Sequence, residues 1–222
     1  MGTTIVCAGG PVTPIVPLPA WVGPVDRVVA ADSGLERAVA LGLPVEVVVG
    51  DLDSVGPSIL RDAERRGVGV VRHEVDKDAT DLELAIEVAC ADGPDRLVVV
   101  GTAAGRLDHL LASISVLADD RLAGVDVDAW FDDTAVLIVR DRRRELPAEI
   151  GALVSLLPIG GPASGVSTEG LRWPLEHETL AAHAARGVSN EVVSTPISVR
   201  VANGCVAAVL PPTDVTAEED PT

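Results

Sequence analysis

Short valine-rich runs alternate with helix-like stretches over residues 1–144, and this alternation leaves few folds open. The runs, in order, are TTIVCAG, DRVVAAD, VEVVVGD, VGVVRHE and RLVVVG. Continuous apolar runs of this length, separated by amphipathic segments, are typical of buried parallel strands connected by helices. The pattern therefore predicts an α/β fold over residues 1–144, with a Rossmann-like parallel sheet covered by helices on both faces.

Two helix starts are visible in the same region. The segments Ser33-Gly-Leu-Glu36 and Thr80-Asp-Leu-Glu83 both match the capping box, in which side chains satisfy the free amides of a first helical turn. The second segment leads into an apolar stripe formed by Leu82, Ala85, Ile86 and Ala89. Such a stripe predicts a surface helix lying on a sheet.

The pattern changes near Arg140-Asp-Arg-Arg-Arg-Glu145. From there to about Pro211 the chain has short strand-like pieces interrupted by Gly, Pro and Ser. These features predict a smaller all-β sandwich domain over residues 145–212. The last ten residues, TDVTAEEDPT (213–222), are polar and acidic, and we expect a disordered tail there.

The charge balance excludes some classes of partner. The chain has 34 acidic and 17 basic residues and a net charge of −17, which disfavours nucleic acid and anionic membranes because both bind basic surfaces. Cys7, Cys90 and Cys205 are far apart and lack zinc-site spacing. No apolar run approaches the roughly 20 residues of a membrane span. We therefore expect a soluble protein of the reducing cytoplasm.

Acidic residues follow several of the predicted strands. Asp32 follows the second run, Asp51 and Asp53 follow the third, and three more follow the fourth, namely Asp76, Asp78 and Asp81. The carboxyl ends of parallel strands share one edge of a sheet, where ligands bind. Oxygen-only ligands favour a hard cation such as Mg²⁺ together with a phosphate chain. For Asp32 alone, an N-cap role is the competing interpretation.

Three weaker signals leave alternatives open. The loop Gly101-Thr-Ala-Ala-Gly-Arg106 precedes a predicted helix and suits phosphate binding, but an ordinary tight turn has the same composition. Lys77 either contacts phosphate or only relieves the charge of its acidic neighbours. Trp173 either stacks on a flat heterocycle or fills the core of the second domain, and Ser189 and Asn190 also fit a turn.

Six ordered motifs together resemble the thiamine pyrophosphokinase family. They are A-D-S-G (31–34), G-D-L-D-S (50–54), D-K-D-A-T-D (76–81), G-x-x-x-G-R-L-D-H (101–109), S-T-E-G-L-R-W-P-L (167–175) and G-V-S-N-E (187–191). The resemblance implies a Rossmann-like domain, a β-sandwich domain, and a homodimer with active sites between the α/β domain of one subunit and the sandwich of the other. Thiamine and ATP are the implied substrates, and Mg²⁺ is the implied cofactor.

The same resemblance implies three groups of site residues. Asp51, Asp53 and Asp81 would hold Mg²⁺ and would be catalytic together with Arg106 and Asp108. The ATP and phosphate group would comprise Asp32, Asp76, Lys77, Asp78, Thr80, Gly101, Gly105 and Arg106. The thiamine group would comprise Ser167, Thr168, Trp173, Ser189 and Asn190, with Trp173 stacking on the aminopyrimidine.

The implied reaction is attack of the thiamine hydroxyethyl oxygen on the β-phosphorus of ATP, with AMP as the leaving group. No residue identifies itself as the general base, and Asp108, Asp76 and Asp78 are all candidates. Three alternatives stay open on the sequence. They are a related diphosphokinase acting on a hydroxymethylpterin, a phosphatase with Asp51 as nucleophile, and a non-catalytic nucleotide sensor.

Overall fold

The computed structural model describes residues 2–11, 14–76 and 78–212, so the expectations for Lys77 and for the tail 213–222 lie outside the described residues. The chain divides into two compact units. The first contains the residues up to Asp132 together with Val136–Ile138, and the second contains Asp133–Ala135 and the residues from Val139 onward. The predicted domain boundary after residue 144 stays a prediction.

The first unit is built on six parallel strands: β1 (Thr3–Cys7), β2 (Arg27–Ala31), β3 (Val47–Gly50), β4 (Gly69–Arg72), β5 (Arg96–Gly101) and β6 (Asp126–Phe131). Their order in the sheet is β6-β5-β1-β2-β3-β4. The strand order reverses between β1 and β5. In an open parallel sheet a crevice forms beside the strand ends at such a reversal.

Four helices connect these strands: α1 (Gly34–Ala40), α2 (Pro57–Arg65), α3 (Asp81–Cys90) and α4 (Leu107–Val116). Two 3-10 helices lie at Ala20–Val22 and Asp120–Leu122. Among the described residues, no helix has the length and apolarity needed to cross a bilayer.

The helices cover both faces of the sheet. Residues of α1 and α2 pack against Val28, Ala30 and Val48. The connection from β4 to β5 runs back across the sheet, so a right-handed crossover places α3 on the face opposite α1 and α2. There α3 contacts β1, β2 and β3 and buries Leu82, Ala85, Ile86 and Ala89. The predicted surface helix after Thr80 is confirmed.

The second unit contains the two ends of β7 (Thr134–Arg140), whose central residues Val136–Ile138 belong to the first unit. Its other strands are β8 (Arg143–Leu146), β9 (Leu153–Pro158), β10 (Ala163–Glu169), β11 (Glu178–Leu180), β12 (Asn190–Glu191), β13 (Ile197–Arg200) and β14 (Cys205–Leu210), and they pair in antiparallel fashion. The order β12-β9-β14-β7 forms one group, and β11-β10-β13-β8 forms a separate four-stranded sheet. The predicted fold class, α/β followed by a smaller all-β part, is confirmed.

One of the two predicted capping boxes is wrong. The Thr80 hydroxyl accepts the Glu83 N–H, and the Glu83 carboxylate accepts the Thr80 N–H at 2.8 Å, as predicted. Ser33 precedes α1 but makes no such bond. Its hydroxyl oxygen instead lies 3.4 Å from the Gly10 N–H, in the loop after β1. A tertiary contact has therefore replaced the local one.

Candidate active site

Three carboxylates meet where two neighbouring strands of the first unit end. Asp32 follows β2, and Asp51 and Asp53 follow β3, which pairs with β2 in parallel at Ala31 and Val49. Each carboxylate offers one oxygen, and these oxygens lie within 4.8 Å of one another. The structure thus brings together Asp32, Asp51 and Asp53, which are three of the six acidic residues that the sequence placed after strand ends. Asp76 and Asp78 are described residues but are not members of this group.

The backbone at these strand ends turns through unusual conformations. Asp32 and Leu52 have positive φ angles of 47° and 65°, and Gly50 has φ 145°. A Cβ atom on Gly50 would lie 2.9 Å from Oδ1 of Asp81 and 3.3 Å from Cβ of Asp32. Glycine at position 50 therefore lets Asp81, the first residue of α3, lie beside the Asp32 carboxylate.

Burial makes Asp32 the most constrained member of this set. The Ser54 hydroxyl donates to its Oδ2 and also lies 3.0 Å from Oδ1 of Asp53. The buried Oδ1 of Asp32 has no hydrogen-bond partner among the described residues. Burial raises the pKa of Asp32, bonds from Ser54 and the Ser33 backbone lower it, and the negative charges of Asp81 and Asp51 raise it again.

These features test whether the site fits a metal ion. Packing several carboxylates together is unfavourable unless a cation or donor compensates the charge. All available donors are oxygens, and one of them is a buried oxygen that lacks a partner within the described residues. A hard cation such as Mg²⁺ satisfies both conditions. The residues present therefore fit the cation that the resemblance implied.

The loop after β1 lies beside this site and involves residues that the sequence analysis missed. Buried Arg37 of α1 donates from Nη2 to the Pro11 carbonyl at 2.9 Å. A Cβ atom on Gly105 would lie 3.0 Å from the Pro11 ring, so the loops after β1 and β5 are in contact. Arginine side chains are mostly exposed, so the sequence favours a surface position for Arg37. No sequence signal indicated that the loop after β1 covers it.

The segment before α3 contributes residues of different kinds. Asp76 and Asp78 are exposed. Thr80 uses its hydroxyl in the capping box with Glu83, as the sequence predicted. A cap of this kind orients α3 and so fixes Asp81 at its first turn.

The glycine loop after β5 has a clear structural role for each glycine. At Gly101 a Cβ atom would lie 2.9 Å from the Phe131 ring, and Gly105 has φ 93°. Arg106 and Asp108 form an exposed bidentate pair, with Nε–Oδ1 3.1 Å and Nη2–Oδ2 2.6 Å. This pair lowers the pKa of Asp108 to about 2, chiefly through the hydrogen bond from Arg106.

In the second unit Trp173 is exposed, with 57% of its surface accessible, so it does not fill the core. Ser167 and Thr168 use their hydroxyl oxygens to accept the backbone N–H groups of His177 at 3.0 Å and Leu175 at 2.9 Å. Exposed Ser189 has φ 56°, and its N–H donates to the Ser155 hydroxyl at 3.0 Å. Ser167, Thr168 and Ser189, which the resemblance assigned to thiamine binding, therefore make hydrogen bonds that hold the local backbone.

The oxygen-only donor set at the strand ends suits a divalent cation and a phosphate chain. The first unit therefore belongs to the class of α/β proteins whose ligand site lies at the carboxyl edge of a parallel sheet.

Family models define the protein more closely. The model described as thiamin pyrophosphokinase, catalytic domain, matches residues 22–126, and the model described as thiamin pyrophosphokinase, vitamin B1 binding domain, matches residues 142–206. The chain belongs to the thiamin pyrophosphokinase family.

Individual relatives agree with the family models. A thiamine pyrophosphokinase of Bacillus subtilis is 23% identical over 211 residues, covering 94% of this chain and 98% of the relative. Thiamine pyrophosphokinase 1 of Oryza sativa is 27% identical over 157 residues, covering 66% of this chain. The match spans 59% of the rice protein's length.

Solved structures show the same fold. The Bacillus subtilis thiamine pyrophosphokinase superimposes with a TM-score of 0.80 at 21% identity, covering 95% of this chain and 99% of that structure. The Candida albicans enzyme gives a TM-score of 0.75 at 13% identity, covering 95% and 90% of the two chains.

Proposed function

We propose that this chain transfers the pyrophosphoryl group of ATP to the hydroxyethyl group of thiamine, giving thiamine diphosphate and AMP. The observation that carries the proposal is the carboxylate cluster of Asp32, Asp51 and Asp53, which lies inside the segment that matches the catalytic-domain model. The matching family models describe thiamin in both parts of the chain. Neither of them supports a hydroxymethylpterin as acceptor.

Asp51, Asp53 and Asp81 are the proposed Mg²⁺ ligands, and Asp32 joins them through its buried carboxylate. When bound, the ion would neutralise the negative charge of the phosphate oxygens. The residues themselves fix the position of the ATP phosphates relative to the thiamine hydroxyl, because pyrophosphoryl transfer depends mainly on positioning and electrostatics. Asp76, Lys77, Asp78, Thr80, Gly101 and Gly105 complete the proposed phosphate-binding group.

Arg106 is proposed to contact the phosphate chain with the guanidinium N–H groups that Asp108 does not occupy. The lowered pKa of Asp108 makes its carboxylate a weak proton acceptor. Of the three candidate bases, the proposal therefore favours Asp76 or Asp78 over Asp108.

The thiamine group that the resemblance implies comprises Ser167, Thr168, Trp173, Ser189 and Asn190. Within this group we propose that the exposed indole of Trp173 supplies the flat apolar surface on which thiamine binds. We further propose a homodimer with active sites shared between subunits, on the strength of the family resemblance. We also propose a cytoplasmic location, because the three cysteines Cys7, Cys90 and Cys205 are few and far apart in the sequence.

The experiment that tests the proposal is a chromatographic assay of purified protein with ATP, MgCl₂ and thiamine. We expect AMP to form only when all three are present, in equal amounts with thiamine diphosphate. Formation of ADP, or ATP breakdown that does not require thiamine, would overturn the proposal. Light scattering tests the dimer separately, since a monomer that is fully active would contradict shared sites.

A further inference from the structure

The side chain of Asn190 is almost fully used by the backbone around it. Asn190 opens β12 and is only 6% exposed. Its Oδ1 accepts the N–H groups of Trp173 at 3.1 Å and Glu191 at 3.0 Å, and its Nδ2 donates to the Trp173 carbonyl at 2.7 Å. A carboxamide oxygen has two lone pairs, and both are occupied here. Little hydrogen-bonding capacity remains for a ligand.

Trp173 is held at its backbone while its ring is exposed. The two bonds from Asn190 bind both the N–H and the carbonyl of this residue, yet 57% of Trp173 is accessible. An exposed tryptophan with a doubly bonded backbone is unusual, because large apolar side chains are generally buried. Such an arrangement fixes the position from which the indole projects.

The residue after Asn190 acts on the same indole through a second contact. The Arg172 guanidinium carbon lies 5.8 Å from the centroid of the Trp173 ring. Glu191 pairs with Arg172, with Oε2 and Nη1 3.2 Å apart, and its carbonyl accepts the Arg172 N–H at 2.8 Å. Glu191 thus holds the guanidinium where it can interact with one face of the indole.

We propose that Asn190 is a positioning residue and not a thiamine ligand. Asn190 fixes the backbone of Trp173, Glu191 holds Arg172 over one face of the indole, and the opposite face binds the flat ring of the substrate. This inference rests on the proposed function for the identity of that ring as part of thiamine. It assigns the G-V-S-N-E motif the role of orienting a stacking surface.

The hydrogen bonds of Asn190 favour a positioning role for this side chain over direct contact with a ligand. Loss of a buried hydrogen bond that leaves its partner unsatisfied is destabilising. A ligand that bound the Asn190 oxygen, or the Nδ2 hydrogen that Trp173 accepts, would have to break such bonds, whereas a ligand that stacks on the indole leaves them intact. Asn190→Asp removes the Nδ2 donor and places a carboxylate oxygen against the Trp173 carbonyl, while the shape of the side chain is unchanged.

The test uses ¹⁹F NMR of the full chain labelled with 5-fluorotryptophan, which reports on Trp21, Trp130 and Trp173. The Trp173→Phe variant assigns the third resonance. In ligand-free Asn190→Asp we expect that resonance alone to shift or broaden. The matched control is Asn203→Asp, since Asn203 is exposed and its Nδ2 lies 3.4 Å from the Ser164 hydroxyl oxygen. We expect the control spectrum to match wild type.

Kinetics supply the second readout. Loss of one buried hydrogen bond corresponds to roughly a five- to tenfold change, so we expect the KM for thiamine to rise by about that factor in Asn190→Asp. The KM for ATP and kcat should stay within about twofold of wild type, because uniform substrate binding is what is lost. An unmoved Trp173 resonance, or a moved resonance with an unchanged thiamine KM, would overturn the proposal.

Glu191→Gln provides a test if Asn190→Asp does not fold, because the Glu191 side chain is 31% exposed and the substitution removes only the charge that pairs with Arg172. Its Trp173 resonance is expected to move as well, and an unmoved resonance would contradict the role of Arg172. Failure of the proposed function gives a different result. In that case wild type would not use thiamine, while the resonance in Asn190→Asp would still move.

Discussion

Replacing Gly34 by alanine tests the close contact between the first residue of α1 and the end of β1, which lies next to the site. A Cβ atom at position 34 would lie 1.9 Å from the Cys7 carbonyl oxygen and 2.6 Å from its carbon, whereas real Cβ contacts are essentially never below 3.0 Å. Both obstructing atoms belong to the backbone of β1. The start of α1 must therefore move by more than 1 Å, and this movement displaces the preceding residues Asp32 and Ser33.

The expected cost follows from this overlap. Overpacking of a core costs roughly 1–3 kcal/mol, and a clash with backbone belongs at the upper end, since no side chain can rotate away. Alanine regains at most about 1 kcal/mol of helix propensity. We therefore expect Gly34→Ala to lower the free energy of unfolding by about 2 kcal/mol. For a chain of this size that corresponds to a melting temperature lower by roughly 4–8 °C.

The assay is thermal unfolding followed by circular dichroism, together with the rate of AMP formation measured well below the transition. Gly124→Ala is the matched control, because a Cβ atom there would meet nothing within 4 Å. We expect at least a tenfold loss of activity in Gly34→Ala, corresponding to about 1.4 kcal/mol of transition-state stabilisation, and near-normal activity in the control. Equal melting temperatures for the two variants would refute the reasoning.

Three further predictions concern separate parts of the chain. Asp53→Asn should lose most thiamine-dependent AMP formation with an unchanged circular dichroism spectrum, whereas the exposed Asp62→Asn should retain it; equal rates would mean that the metal site is misplaced. Burial raises the pKa of the Cys7 thiol to about 12, so mass spectrometry should find Cys7 unalkylated by iodoacetamide at pH 8. The unfolded thiol ionises near pH 9 and the folded one near pH 12, so the free energy of unfolding should fall as pH rises from about 9 towards 12. Rapid labelling of Cys7 at pH 8 would contradict the raised pKa on which both expectations rest. Asp128→Ala removes the buried carboxylate that accepts from Arg96 Nε at 2.9 Å. The free energy of unfolding measured in urea should fall by about 3 kcal/mol, and a loss below about 1 kcal/mol would mean that the Arg96–Asp128 pair does not stabilise the fold.

Local patterns in the sequence predicted the parts of this fold that depend on local chemistry. The capping box at Thr80 and the apolar stripe of α3 need only residues three and four positions apart, and both are present. The gathering of Asp51 and Asp53 with Asp32 also follows from topology, since parallel strands end at one edge.

Features that depend on distant backbone were not predictable. Ser33 matched a capping box as well as Thr80 did, yet its hydroxyl faces Gly10, which lies 23 residues earlier in the chain. The burial of Arg37 depends on the Pro11 carbonyl, and nothing in the α1 sequence indicates it. Helix α4 was expected after the loop Gly101-Thr-Ala-Ala-Gly-Arg106, but none of its residues is buried. A pattern predicts an element without specifying what covers it.

The site residues divide in the same way. The strand-end positions predicted that Asp51 and Asp53 would lie near Asp32. They did not predict that Asp32 would have a buried oxygen without a hydrogen-bond partner among the described residues. The sequence likewise grouped Asn190 with Trp173 as thiamine ligands. In the folded chain the Asn190 carboxamide binds the Trp173 backbone, and no sequence pattern indicated this contact.

The central claim is that the transferred unit is a pyrophosphoryl group, and ³¹P NMR of a single reaction of the protein with ATP, MgCl₂ and thiamine tests it directly. We expect the three ATP resonances to be replaced by the single resonance of AMP and the coupled pair of thiamine diphosphate, in equal amounts. Appearance of ADP with a thiamine monophosphate resonance, or of free inorganic phosphate alone, would contradict the assignment.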